Sequence, residues 1–110
     1  MKRIFVLSQQ SLFGQGIETL LSRESEIDLV RWDADITSAN ECIQVSNPDF
    51  VVLDCDDAEL DLSSAIRYIF RERPGTSIIG VSLAHNEASV YRGEQKIILQ
   101  VADLLDVIMG

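Results

Sequence analysis

The sequence predicts an α/β domain, a three-layer sandwich whose central, mainly parallel five-stranded sheet carries helices on both faces. Three observations lead there. Apolar runs without polar alternation, Ile4 to Leu7, Phe50 to Leu53 and Ser77 to Leu83, need cover on both sides, as strands of a parallel sheet do. The stretches between them repeat their apolar residues at helical spacing. The resulting order up to Leu83 is βαβαβαβ, which calls for right-handed crossovers. At 110 residues the chain is read as one domain, 1–110, long enough to remove about two-thirds of its unfolded surface from water.

In chain order, Ile4 to Leu7 is the first strand, ending at Ser8, Gln9 and Gln10. Leu12, Phe13, Gly16, Ile17, Leu20 and Leu21 form one helical stripe, with Ser11 as its N-cap. Ile27 to Val30 gives a short strand, with Trp32 covering the sheet edge. A weaker helix uses Ile36, Ala39, Cys42 and Ile43 before the Asn47-Pro48 turn. Phe50 to Leu53 is the central strand, stopping on Asp54. Leu62, Ala65, Ile66, Ile69 and Phe70 mark another helix, closed by Pro74-Gly75, and Ser77 to Leu83 is the fourth strand. The remaining 27 residues, 84–110, are too few for a helix, a strand and a further helix. The preferred reading has one crossover helix lost: Ala84 to Glu87 turns, Ser89 to Arg92 returns antiparallel as a hairpin strand, and one helix runs from Glu94 to about Met109. The rival reading makes Lys96 to Leu99 a parallel fifth strand.

Composition narrows the function. The formal net charge of −9 disfavours nucleic acid and anionic membrane as partners of this domain. The N-terminal apolar run is too short for a signal peptide or a membrane span, so a cytoplasmic protein is expected. Cys42 and Cys55 lack metal-ligand spacing and read as thiols in a reducing compartment. No dinucleotide or P-loop glycine pattern is present. The cluster Asp54, Asp56, Asp57, Glu59 and Asp61 lacks the EF-hand spacing and reads as a solvated acidic loop. His85 reads as a turn residue; a constellation with Asp54 and Ser82 is the remote alternative. Strand ends of open α/β sheets face the functional crevice, so Asp54, Asp56 and Asp57 are placed at its floor.

With these residues in place, the chain resembles the CheY-like receiver domain of bacterial two-component response regulators, in particular the receivers of helix-turn-helix transcriptional regulators. The run LSQQSLFGQG keeps Leu12, Phe13 and Gly16; PDFVVLD ends on the phosphoacceptor-equivalent Asp54; and the fourth strand ends on Ser82, equivalent to the switch Ser or Thr. The resemblance implies a flavodoxin-like fold. It also implies a Mg²⁺ site at two acidic residues, and here those positions are the neutral Ser8 and Gln9. Mg²⁺ wants hard oxygen ligands, usually with at least one or two carboxylates. Ala58 and Leu62 depart from the family's Pro and Gly, and no Lys falls at the end of the expected fifth strand, where Arg92 is the nearest basic residue.

The sequence is therefore read as a degenerate, non-enzymatic receiver, acting without phosphorylation as a protein-protein interaction or dimerisation module. Its expected partner face is Ala88, Val90, Tyr91 and Arg92 on a free sheet edge, and no metal or cofactor is expected. Two alternatives stand beside this reading. One is a phosphoacceptor at Asp54 using Mg²⁺ with non-standard ligands, and the other is a small-molecule sensor at the strand ends.

Overall fold

The computed structural model describes residues 2–8, 11–21, 24–32, 43, 47–58, 61–93 and 95–109, with backbone alone at 11, 31 and 32. Strands β1 (Lys2–Leu7), β2 (Ile27–Trp32), β3 (Phe50–Asp54), β4 (Ser77–Ser82), β5 (Glu87–Arg92) and β6 (Gln95–Leu99) form one sheet in the order β2-β1-β3-β4-β5-β6. The first four are parallel; β5 is antiparallel to β4, and β6 to β5. Helices α1 (Ser11–Leu21), α2 (Leu62–Glu72) and α3 (Leu104–Met109) complete the described elements, α3 being preceded by a 3₁₀ turn at Val101–Asp103.

Continuous apolar runs make the sheet interior because successive residues point to opposite faces, and each face has its own core. On one face, Ile4, Val6, Phe50, Val52, Ile79 and Val81 meet Phe13, Ile17 and Leu21 of α1 and Leu104 and Ile108 of α3. On the other, Phe5, Leu7, Val51, Leu53 and Ile78 meet Ile43 and the α2 residues Ala65 and Ile69. Asp61 caps α2, its carboxylate accepting from the Ser64 backbone N–H at 3.2 Å, which satisfies one of the helix's orphan donors.

The hairpin return after Leu83 stands, with β5 beginning at Glu87. The sheet has six strands where five were expected, because Lys96 to Leu99 is a strand and runs antiparallel. The stripe Ile97, Val101, Leu104, Leu105 and Ile108 fits a helix, but Ile97 and Ile98 are β-branched and favour extended backbone. Gly93, at φ +60, supplies the left-handed turn that folds β6 back onto β5. The helical part thus starts only at Val101, with the Gln100 backbone N–H held by the Asp103 carboxylate at 3.3 Å. Leu12, expected on the inward stripe of α1, is 79% exposed. The expected helix over Ile36 to Ile43 lies outside the described residues except for Ile43, which is helical and buried. The Trp32 side chain and Cys42 also lie outside them.

Candidate functional site

The parallel strands β1, β3 and β4 end at one edge of the sheet, so three sequence-distant residues meet there: Ser8 just past β1, Asp54 closing β3, and Ser82 closing β4. Asp54 is buried at 4% exposure. Its Oδ1 accepts from the Asp56 backbone N–H at 2.9 Å, and its Oδ2 accepts a long bond from the Ser8 hydroxyl at 3.4 Å. Burial pushes its pKa up, and the charges of Asp56 and Asp57 push the same way; the bonds from Asp56 N–H and Ser8 offset part of this. Gln9, the second neutral substitution, lies outside the described residues.

Asp56 has the opposite environment. Its Oδ1 accepts from the Ser82 hydroxyl at 2.7 Å and its Oδ2 from the Ala84 backbone N–H at 3.1 Å. These bonds, the Ser82 one foremost, hold its pKa below the usual carboxylate value. Ser82 Oγ also accepts from the His85 backbone N–H at 3.2 Å and lies 3.0 Å from His85 Nδ1. A hydroxyl has one hydrogen. With that hydrogen given to the carboxylate, the hydroxyl oxygen is left to accept in its contact with His85. Asn86, at φ +51, follows in the same turn, and its side-chain oxygen accepts from the Val101 backbone N–H at 3.2 Å. The network thus runs from the β3 loop, through the β4–β5 turn, to the start of the last helix.

His85 is a turn residue, as the sequence implied, and the His/Asp/Ser grouping exists, but its acid is Asp56 in place of Asp54. Sequence reasoning missed this because it counted Asp56 only as a like charge beside Asp54. The Asp-x-Asp spacing at the strand end was the available signal. Cys55, between them, has its thiol pKa raised, first by burial and then by Asp54 and Asp56.

The expected partner face needs correction. Ala88 and Val90 are buried in the core at 0% and 1% exposure, since alternation along β5 turns them toward α1 and α3. Tyr91 is half-buried with the Lys96 ammonium 5.6 Å above its ring. Arg92 is exposed but lies at the opposite end of the sheet from Asp54, because antiparallel β5 runs away from the acidic floor and pairs Tyr91 with Ile78 at the start of β4. There Arg92 lines an open groove of about 410 Å³ with Lys2, Phe50, Ile97, Leu99 and Asp106. Among the described residues the edge strand on this side of the sheet is β6, and β2 is the edge strand on the other.

No protein-family model matches the chain. Among curated proteins it is 24% identical over 88 residues to the transcriptional regulatory protein DegU of Brevibacillus brevis, covering 80% of this chain and 37% of that protein. It is 27% identical over 88 residues to a protein-glutamate methylesterase/protein-glutamine glutaminase of Leptospira interrogans, covering 80% of this chain and 25% of that protein. The chain therefore spans well under half the length of these relatives. Similar solved structures include the response regulator domain of Thermotoga maritima CheB (TM-score 0.61, 20% identity, 74% of this chain and 60% of that one). The NarL receiver domain of Mycobacterium tuberculosis gives TM-score 0.61 at 23% identity over 74% of this chain and 65% of that one. RcsB of Salmonella enterica, solved bound to a promoter, gives 0.64 at 20% over 76% and 43%. The sheet order over β1 to β4 and these likenesses together give the chain the fold of CheY-like response-regulator receiver domains.

Proposed function

We propose that this receiver works without phosphoryl transfer, as a non-catalytic module of bacterial signalling or transcriptional regulation that offers a fixed surface to a protein partner. The observation that carries the reading is the 2.7 Å bond from Ser82 to Asp56. In a switching receiver, phosphate on the aspartate draws the Ser or Thr hydroxyl toward it and so rearranges the neighbouring face. Here a carboxylate of the chain itself already holds that hydroxyl, and the turn behind it is tied to the last helix through Asn86.

The donor set at Asp54 supports the same reading. One buried carboxylate and the Ser8 hydroxyl face each other, while the Asp56 oxygens are taken by Ser82 and Ala84. Among the described residues no three His, Cys, Asp or Glu side chains gather as a metal would require. This set fits Mg²⁺ poorly, and without the ion the charge on a transferring phosphoryl group goes uncompensated. No described helix is long and apolar enough to cross a membrane.

Intact-mass measurement after incubation with Mg²⁺ and acetyl phosphate tests the proposal. The expected spectrum is that of unmodified protein. A labile phosphoryl adduct that Asp54→Asn removes would overturn it.

A further inference from the structure

We infer that β6 is a self-complementary edge, and that a second copy of this chain is its occupant, pairing antiparallel about a two-fold axis at Ile97. This rests on the interaction-module reading above and names the partner. Among the described residues β6 is one of the sheet's two edges, and the strand itself carries none of the usual guards: no proline, no bulge, and Lys96 as its one charged residue. Ile97 and Ile98, on opposite faces, are 44% and 59% exposed.

The register follows from hydrogen-bond alternation. Only two residues separate Arg92 from Gln95, and the register pairs these two across the hairpin. A two-residue turn makes its flanking pair hydrogen-bonded, so Gln95, Ile97 and Leu99 bond inward to β5. The backbone groups of Lys96 and Ile98 consequently face outward. Three antiparallel registers bring outward groups together. Centring on Lys96 sets two ammonium groups opposite each other, which is unfavourable. Centring on Ile98 sets Lys96 against Gln100, whose N–H is already given to Asp103. Centring on Ile97 satisfies every outward group: Lys96 bonds Ile98 of the partner subunit, and Ile98 bonds the partner's Lys96. The two Ile97 side chains then close on each other beside the groove formed with Leu99 and Val107.

Charge favours the same occupant. Two chains of net −9 repel over most of their surface, but three of the basic residues lie at this groove and strand. Lys2 and Arg92 share the groove rim with Asp106, and Lys96 lies on the strand's other face. Copies meeting here face mixed charge, and beyond about 8 Å the remaining repulsion is screened at physiological salt. An isologous contact of this kind closes as a dimer and cannot propagate.

The test is sedimentation and self-cross-linking. Wild type should sediment at twice its 12.3 kDa monomer mass, and Ile98→Pro, which removes one outward N–H but no bond to β5, should be monomeric with an unchanged far-ultraviolet circular dichroism spectrum. In a Cys42→Ser, Cys55→Ser background, Ile97→Cys should form an intermolecular disulfide under mild oxidation. A non-hydrogen-bonded pair sets its Cα atoms about 4.5 Å apart, within disulfide range. Ile98→Cys should not cross-link, which keeps the test decisive if the proline variant fails to fold. A monomeric wild type, whether the edge is bare or binds some other protein, would overturn the inference. So would faster cross-linking through position 98. Either result leaves the phosphorylation-independent reading standing, since only the acetyl phosphate experiment decides that.

Discussion

Two aspartates two residues apart titrate in opposite directions, and their substitutions should behave oppositely. Asp54 is raised above the ordinary 3.8, chiefly by burial. Its charged form therefore opposes folding, and the cost grows as pH climbs from 3.8 through the raised folded value. Asp54→Asn should raise Tm by a few degrees at neutral pH and have little effect near pH ~3. Asp56 is lowered, chiefly by the Ser82 hydroxyl. Its contribution is complete above 3.8 and disappears as pH falls through the lower folded value. Asp56→Ala should cost about 1–2 kcal/mol at neutral pH, since two charge-assisted bonds at a partly exposed carboxylate are lost, and the deficit should close in acid. Thermal melts of both variants across pH ~3–8 check the signs; parallel pH profiles would contradict the pairing of Asp56 with Ser82.

At the scale of elements, the decisive feature is that β4 returns through a short turn as antiparallel β5, and β5 in turn as antiparallel β6. Gly93 holds φ +60 with no atom within 4 Å of where a Cβ would stand, so the obstacle to substitution there is backbone conformation and not space. Gly93→Val should lower stability by roughly 1–2 kcal/mol, with Gly93→Asn much milder, in urea unfolding. Equal effects of the two would mean that steric crowding governs the turn. The strands β1, β3 and β4 were legible because their residues are apolar on both faces, a property carried by each short segment alone. The last quarter was not, because Ile97 to Ile108 satisfies a helical period and a strand followed by a helix equally well. What separates the two is the Gly93 turn and pairing with β5.

For the whole molecule, charge is unevenly distributed. The ends of β3 and β4 are acidic, with Asp54, Asp56 and Asp57 gathered there, whereas Lys2 and Arg92 mark the opposite end of the sheet near β6. A chain of net −9 repels itself when compact, so raising NaCl from about 20 to about 200 mM should raise Tm. The same change should strengthen self-association through β6. A dimer that weakens as salt rises would show that specific ion pairs hold the interface in place of backbone bonds and the Ile97 contact.

The sequence by itself determined the buried strands, the position of Asp54 at the end of the central one, and the company it keeps there. Parallel strands of similar length must end together, so Ser8, Asp54 and Ser82 converge whatever the loops do. Only the tertiary structure decided that Ala88 and Val90 face inward, that Arg92 lies far from the acidic floor, and that Ser82 is held by Asp56. The antiparallel direction of β5 was expected; which of its faces packs on α1 and α3, and the path its turn takes beside β3, were not. Contacts between segments distant in the chain fix both, and local periodicity does not record them.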